Sequence, residues 1–253
     1  MSKIISVANQ KGGVGKTTTA INLSAYLSRM GKKVLLIDLD IQGNATTGLG
    51  IKRNSLKQCV YNVLIGETEA KSVIQKTEFD HLFILPSTIN LAGAEVELIN
   101  AKNREIRLQF ELNSIKDNYD FIFIDCPPSL GIITINALCA SDGVIIPLQC
   151  EYYALEGLTS FLNTFSLVQR KFNQKLKIRG ILLTMYDSHT SLSQQVSSEV
   201  INYFKNQVFQ TIIPRNVRLS EAPSYGKPIF VYDPGSKGAE AYRKLAMEFL
   251  KNE

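Results

Sequence analysis

With 253 residues, 45% of them apolar, and a mean hydropathy near zero, the chain has the composition of a soluble α/β protein with a sizeable core, which excludes a disordered or fibrous one. No apolar run exceeds strand length, which excludes a bilayer-spanning helix, and the first strand pattern opens within three residues of the start, leaving no room for a signal peptide. The net charge of +5 is uneven: residues 1–169 carry 15 Lys+Arg against 16 Asp+Glu, whereas residues 170–253 carry 13 against 7, so any polyanion-binding face is expected in the last third.

The first strand is predicted over Ile4-Ile5-Ser6-Val7-Ala8. Next comes Lys11-Gly12-Gly13-Val14-Gly15-Lys16-Thr17-Thr18, then a helical pattern at Ala20, Ile21, Leu23, Ser24 and Leu27. Strand, glycine loop and helix are the context a phosphate-binding loop requires. Glycines let backbone N–H groups close on an anion, and the helix adds its positive end. Lys16 is placed to neutralise β- and γ-phosphates and the Thr17 hydroxyl to ligate Mg²⁺. The general pattern G-x-x-x-x-G-K-[ST] is not met literally, because Gln10 stands where its first glycine would be.

Lys33-Val34-Leu35-Leu36-Ile37-Asp38 predicts a second strand, and residues 39–55, with Gly43, Gly48 and Gly50, a loop at its carboxyl end. Asp38 and Asp40, with one residue between them, could hold a water in line with a γ-phosphate, and the two are expected to point to different sides and to have different roles. Short helical patterns fill 56–76, a strand occupies 82–85, and one or two helices lie in 90–118. Phe121-Ile122-Phe123-Ile124-Asp125 reads as a strand buried on both faces, with Asp125 at the tip where a Walker B residue orients the Mg²⁺ shell. A strand at 144–147, a helix at 154–172, a strand at 178–185, a helix at 190–206, a strand at 208–213 and a helix at 237–251 complete the series. Alternating strands and helices imply one domain, 1–253, with a doubly wound, mostly parallel sheet and ligands at the carboxyl ends of its strands. Cys59, Cys126, Cys139 and Cys150 show no C-x-x-C spacing and are expected to be reduced, buried thiols.

The K-G-G-V-G-K-T-T loop, D-L-D-x-Q-G-N-A-T from Asp38, F-I-D-C-P-P-S-L-G from Phe123, the run Ile213 to Pro228 and Asp233-Pro234 resemble the chromosomal ParA proteins called Soj, within the deviant Walker A superfamily that includes MinD. The resemblance covers nearly the whole chain. It implies an ATPase of weak intrinsic activity, with ATP and Mg²⁺ bound by residues 11–18, that dimerises face to face around two ATP molecules. Lys11 would then reach the partner's phosphates, Asp40 would be needed for hydrolysis, Thr17 and Asp125 would serve the metal, and Met185, Pro214 and Asn216 would lie near the adenine. It also implies DNA binding without sequence preference by the ATP dimer, stimulation of hydrolysis by a ParB (Spo0J) partner, and a cytoplasmic, nucleoid-associated protein.

For DNA contact the basic last third offers Arg215 and Arg218 first, then Lys205, Lys227, Lys237, Arg243 and Lys244. Either arginine could instead be occupied by internal salt bridges to Glu221 or Asp233. Three positions depart from the family pattern: His189 and Gly235 stand where many members have arginine, and Ile41 replaces a common proline, an exchange expected to loosen the loop after Asp40. An alternative function, a membrane-associated ATPase like MinD, would need the stripe Ala239, Tyr242, Leu245, Ala246, Phe249 and Leu250 to face lipid. The mixed charges on the other side of that helix favour docking onto the sheet and no stable membrane association.

Overall fold

The computed structural model describes residues 2–151 and 154–252. Its strands are β1 (Lys3–Val7), β2 (Val34–Asp38), β3 (Gln75–Lys76), β4 (Leu82–Leu85), β5 (Phe121–Asp125), β6 (Gly143–Gln149) and β7 (Lys177–Thr184). They form one seven-stranded sheet in the order β3-β4-β2-β5-β1-β6-β7. All neighbours are parallel except the short edge strand β3, which pairs antiparallel with β4. The helices are α1 (Lys16–Arg29), α2 (Asn44–Gly48), α3 (Val60–Ile65), α4 (Ala70–Val73), α5 (Leu91–Glu97), α6 (Arg107–Asn113), α7 (Ile132–Ala140), α8 (Ala154–Lys171), α9 (Ser191–Phe204), α10 (Val217–Glu221), α11 (Ile229–Tyr232) and α12 (Lys237–Lys251).

Alternation along each strand sends side chains into two separate cores, as a sheet covered on both faces requires. Leu35, Ile37, Ile122 and Ile124 pack with residues of α3 to α9. Leu36, Phe121 and Phe123 pack with α1 and α12 on the other face. There Phe249 lies 5.4 Å from Phe121 and 5.7 Å from Phe123, ring centre to ring centre. The apolar stripe of α12 is therefore covered by the sheet and by α1, to which Tyr242 and Tyr26 add hydrogen bonds: Tyr242 to Thr19 (3.0 Å) and Tyr26 to the Ala239 carbonyl (2.7 Å). No described helix is long and apolar enough to cross a membrane. All four cysteines are free and buried.

Two expectations need correction, and one helix, α7, was not expected. Within 39–55, residues 44–48 are helical, because Gly43 adopts the left-handed conformation that starts α2 and the Asp38 carboxylate accepts the Thr46 N–H (2.8 Å) and hydroxyl (2.7 Å). Residues 208–213 are not a strand. Val208 forms an isolated bridge to Ile181 and Ile213 donates to the Leu183 carbonyl (2.9 Å), but between them the N–H groups of Gln210 and Thr211 turn to the Glu248 carboxylate at 2.7 and 2.9 Å. That side chain on α12 takes the donors a ladder would need. The helix α7 carries no polar stripe; its sequence is apolar nearly all round, so it gives no amphipathic period to read.

Candidate active site

The carboxyl ends of β1, β2 and β5 converge on residues 9–18. Register pairs Asp38 directly with Asp125 and Val7 with Asp125, so two carboxylates sit side by side at the strand tips. Gly13 (φ 74°) and Gly15 (φ 87°) hold the left-handed conformation that a side chain would disfavour. A Cβ at Gly12 or Gly13 would meet nothing within 4 Å, so the loop surrounds open space. Its frame is rigid. The Asn9 amide donates to the Pro147 carbonyl (2.7 Å) and accepts the Lys11 N–H (3.0 Å), while the Thr184 hydroxyl donates to the Val14 carbonyl (2.9 Å). Gly15 caps α1 without a side-chain acceptor, which leaves the first N–H groups of that helix directed at the same space.

Lys16 is buried at 7% exposure, and its ammonium donates to the Lys11 carbonyl at 3.0 Å. Burial pulls its pKa below the usual lysine value, while Asp125 and Asp40 oppose that pull. Asp125 is wholly buried, and neither carboxylate oxygen has a hydrogen-bond partner. Burial and then the adjacent Asp38 carboxylate push its pKa well up; the Thr17 hydroxyl, whose approach does not meet hydrogen-bond geometry, and Lys16 act against them. Two orphaned carboxylate oxygens near a threonine hydroxyl are hard oxygen donors, and they fit a hydrated divalent cation such as Mg²⁺.

Asp38 and Asp40 differ as expected, but strand alternation, which puts residues two apart on the same face, is not the cause: β2 ends at Asp38 and Asp40 already belongs to the turn that follows. Asp38 is buried, and its oxygens are filled by Thr46 and by the Asp40 N–H (3.1 Å); burial raises its pKa. Asp40 is half-buried and accepts the Gln42 N–H at 2.9 Å. The Asp38 carboxylate is thus a structural node, and Asp40 is the one with an oxygen to offer.

Met185, Pro214 and Asn216 are brought together with Gly15, Thr18, Thr184, Arg215 and Tyr242 around a cavity of about 190 Å³ beside the loop. Met185 itself has φ 49°, a backbone conformation that turns the chain sharply after β7. Lys11 is bonded within its own chain: its ammonium donates to Glu151 at 3.2 Å, and Arg215 reaches the same carboxylate at 3.8 Å. Glu151, Asn9 and Thr184 were not foreseen as site residues, and nothing in their sequence surroundings marks them.

The basic candidates divide. Arg218 makes ion pairs with Glu221 (2.8 Å) and Asp233 (3.3 Å), the alternative weighed for it, and so is a weaker first choice than its sequence position implied. Arg243 and Lys244 both pair with Glu240, at 3.0 and 3.4 Å. Lys205, Lys227 and Lys237 are exposed and form no ion pair among the described residues. Lys237, Lys244 and Gly235 line an open groove of about 1040 Å³ between α12 and residues 210–214, separate from the cavity that holds Arg215.

A family profile described as an AAA domain matches residues 2–178. Over 252 residues the chain is 58% identical to the sporulation initiation inhibitor protein Soj of Bacillus subtilis, with 100% of both chains covered. It is 53% identical over 253 residues to the chromosome partitioning protein ParA of Myxococcus xanthus, covering 100% of this chain and 89% of that one. A solved structure from Mycobacterium smegmatis, named as cobyrinic acid a,c-diamide synthase with bound ADP and magnesium, superposes with a TM-score of 0.87 at 40% identity, over 99% of this chain and 95% of that one.

Proposed function

This chain belongs to the Soj and ParA family of chromosome-partitioning ATPases, and from that premise we propose that it is a switch driven by ATP hydrolysis. Two copies close face to face on two ATP molecules, the dimer holds DNA without regard to sequence, and a ParB-like partner ends that state by stimulating a slow intrinsic hydrolysis. The observation that carries the reading is the pair of orphaned Asp125 oxygens beside Lys16 and an open glycine loop.

In this reading the N–H groups of residues 12–18 and the Lys16 ammonium hold the β- and γ-phosphates. Thr17 and Asp125 hold Mg²⁺, which when bound offsets the phosphate charge. Met185, Pro214 and Asn216 enclose the base. Asp40 orients the attacking water and takes up its proton. Lys11, held by Glu151 in the single chain, leaves that carboxylate to reach the partner's phosphates. Residues 205–244 supply the DNA face, with Lys237, Lys227 and Lys205 as cations without an ion pair among the described residues and Arg215, Arg218, Arg243 and Lys244 as paired ones; doubling that face in a dimer multiplies the phosphate contacts. Such a protein works in the cytoplasm on the nucleoid. Because the apolar face of α12 is covered, membrane attachment in the manner of MinD has no support here.

The deciding experiment is size-exclusion chromatography of Asp40→Ala with ATP, with and without DNA. The variant binds ATP, hydrolyses it far more slowly than the parent and accumulates as a dimer. A monomer under those conditions, or hydrolysis at the parent's rate, refutes the assignment of Asp40.

A further inference from the structure

Asp40 stands on a tight turn whose geometry is imposed by a side chain from outside it. The Gly43 N–H donates to the Asp40 carbonyl at 2.9 Å, which closes a β-turn with Ile41 and Gln42 at its two central positions. The Gln42 N–H donates to Asp40 Oδ1, also at 2.9 Å. Arg53, at the start of a single 3₁₀ turn (Arg53–Ser55), lays its guanidinium on this turn from the other side. Its Nη2 donates to the Ile41 carbonyl at 3.3 Å and its Nη1 to the Gln42 carbonyl. The approach is close: a Cβ at Gly43 would stand 2.7 Å from Arg53 Nε and 2.9 Å from its Cδ, so the glycine admits the arginine as well as the positive φ of 60°.

The carbonyl of Ile41 and the N–H of Gln42 belong to one planar peptide unit and cannot rotate independently. Arg53 grips the oxygen of that plane, and Asp40 is held by its hydrogen. We propose that Arg53 is a positioning residue for hydrolysis: by fixing the 41–42 peptide it fixes the carboxylate of Asp40. Only a planar, multidonor cation can hold two successive carbonyls in this way; lysine offers a single charged point. The expected looseness of a turn with Ile41 in place of proline is thus met from outside the turn. This inference rests on the reading of Asp40 as the group that orients water.

The test compares single-turnover ATP hydrolysis and ATP affinity in the full chain with Mg²⁺ for the parent, Arg53→Gln, Arg53→Lys and Asp40→Ala. Loss of the grip lets the carboxylate wander by a fraction of an ångström, so Arg53→Gln lowers the rate by about tenfold while ATP affinity stays within about twofold. Arg53→Lys falls between. A second change separates positioning from stability. Ile41 occupies the first central position of the turn, where proline's fixed φ is favoured, and no hydrogen bond among the described residues uses its N–H. Adding Ile41→Pro to Arg53→Gln therefore restores the rate to within about threefold of the parent. Hydrolysis at the parent's rate in Arg53→Gln overturns the inference, as does a parallel loss of ATP affinity or a loss that Ile41→Pro leaves unrelieved. Failure of both Arg53 variants to fold would make the residue a stability element and overturn it equally. Asp40→Ala hydrolysing normally would instead remove the reading on which the inference stands.

Discussion

Replacing Asp125 by Asn should make the protein more stable when empty and less able to respond to its nucleotide. The side chain is fully buried, both oxygens lack partners, and Asp38 lies beside it in register. A carboxyl group in that position costs folding energy, because the unfolded chain lets it ionise freely whereas burial and Asp38 hold its pKa up here; an amide of the same shape has no such ionisation to lose. Relief of a poorly compensated buried charge is typically worth about 1–3 kcal/mol. For a chain of this size each kcal/mol moves the melting temperature by about 2–4 °C, so the empty variant should melt about 2–12 °C above the parent. With Mg²⁺ and ATP the order reverses. At a ligand concentration near a hundred times its dissociation constant the parent gains about 2.7 kcal/mol, and the variant, with an amide where the cation's carboxylate should be, gains little. The assay is calorimetric melting in a chelator and then with Mg²⁺ and ATP. An empty variant that melts below the parent, or one that gains as much as the parent from Mg²⁺ and ATP, would refute the account of Asp125 as a carboxylate held ready for a cation.

Lys16→Ala should abolish productive ATP binding, measured by equilibrium titration, because the phosphates lose the fixed cation nearest to them; affinity within a few-fold of the parent would sink the loop assignment. Lys237→Glu should lower the slope of log DNA affinity against log salt by about 1.8 for a dimer, two contacts at about 0.9 each, on any duplex. Arg218→Ala should change that slope less, since Glu221 and Asp233 already neutralise the guanidinium; an equal drop in both would show that the two ion pairs open on DNA. Gly180→Ala should destabilise the fold by about 1–3 kcal/mol in denaturant titration, since the Phe209 ring occupies the space its methyl group needs. An unchanged midpoint would mean that residues 208–213 shift away at little cost.

Local features were legible in the sequence, and long-range ones were not. The positions of the glycine loop after β1 and of Asp125 at the tip of β5 could be read because each depends on a strand pattern and the few residues at its end. The different fates of Asp38 and Asp40 were expected for the wrong reason: alternation puts residues two apart on one face, and the two differ because the strand ends at Asp38 and the chain turns after it. The helix α2 was hidden because Gly43 and Gly48 look like loop punctuation, whereas Gly48 is in fact needed where Ile21 Cδ1 would sit 2.5 Å from a Cβ. The false strand at 208–213 had the right composition, but a carboxylate on α12 took its donors. Arg53 and Glu151 act on residues distant in sequence, through contacts that no spacing rule encodes. The two-sided burial of α7 removed the period by which a helix is recognised.

The order of the strands bears on how the protein is made. β1, which leads into the glycine loop, is made before its neighbours: it lies in the sheet between β5 and β6, more than a hundred residues downstream. Its edges stay unpaired until residues 121–149 follow, and the cavity beside the loop closes only with Tyr242 on α12. Pairings of such sequence separation form late. A growing chain therefore has the glycine loop in sequence long before it has the surroundings of that loop in space. The cavity beside the loop is thus the sum of segments made more than two hundred residues apart, from Gly15 to Tyr242, and its walls exist together only once α12 has docked.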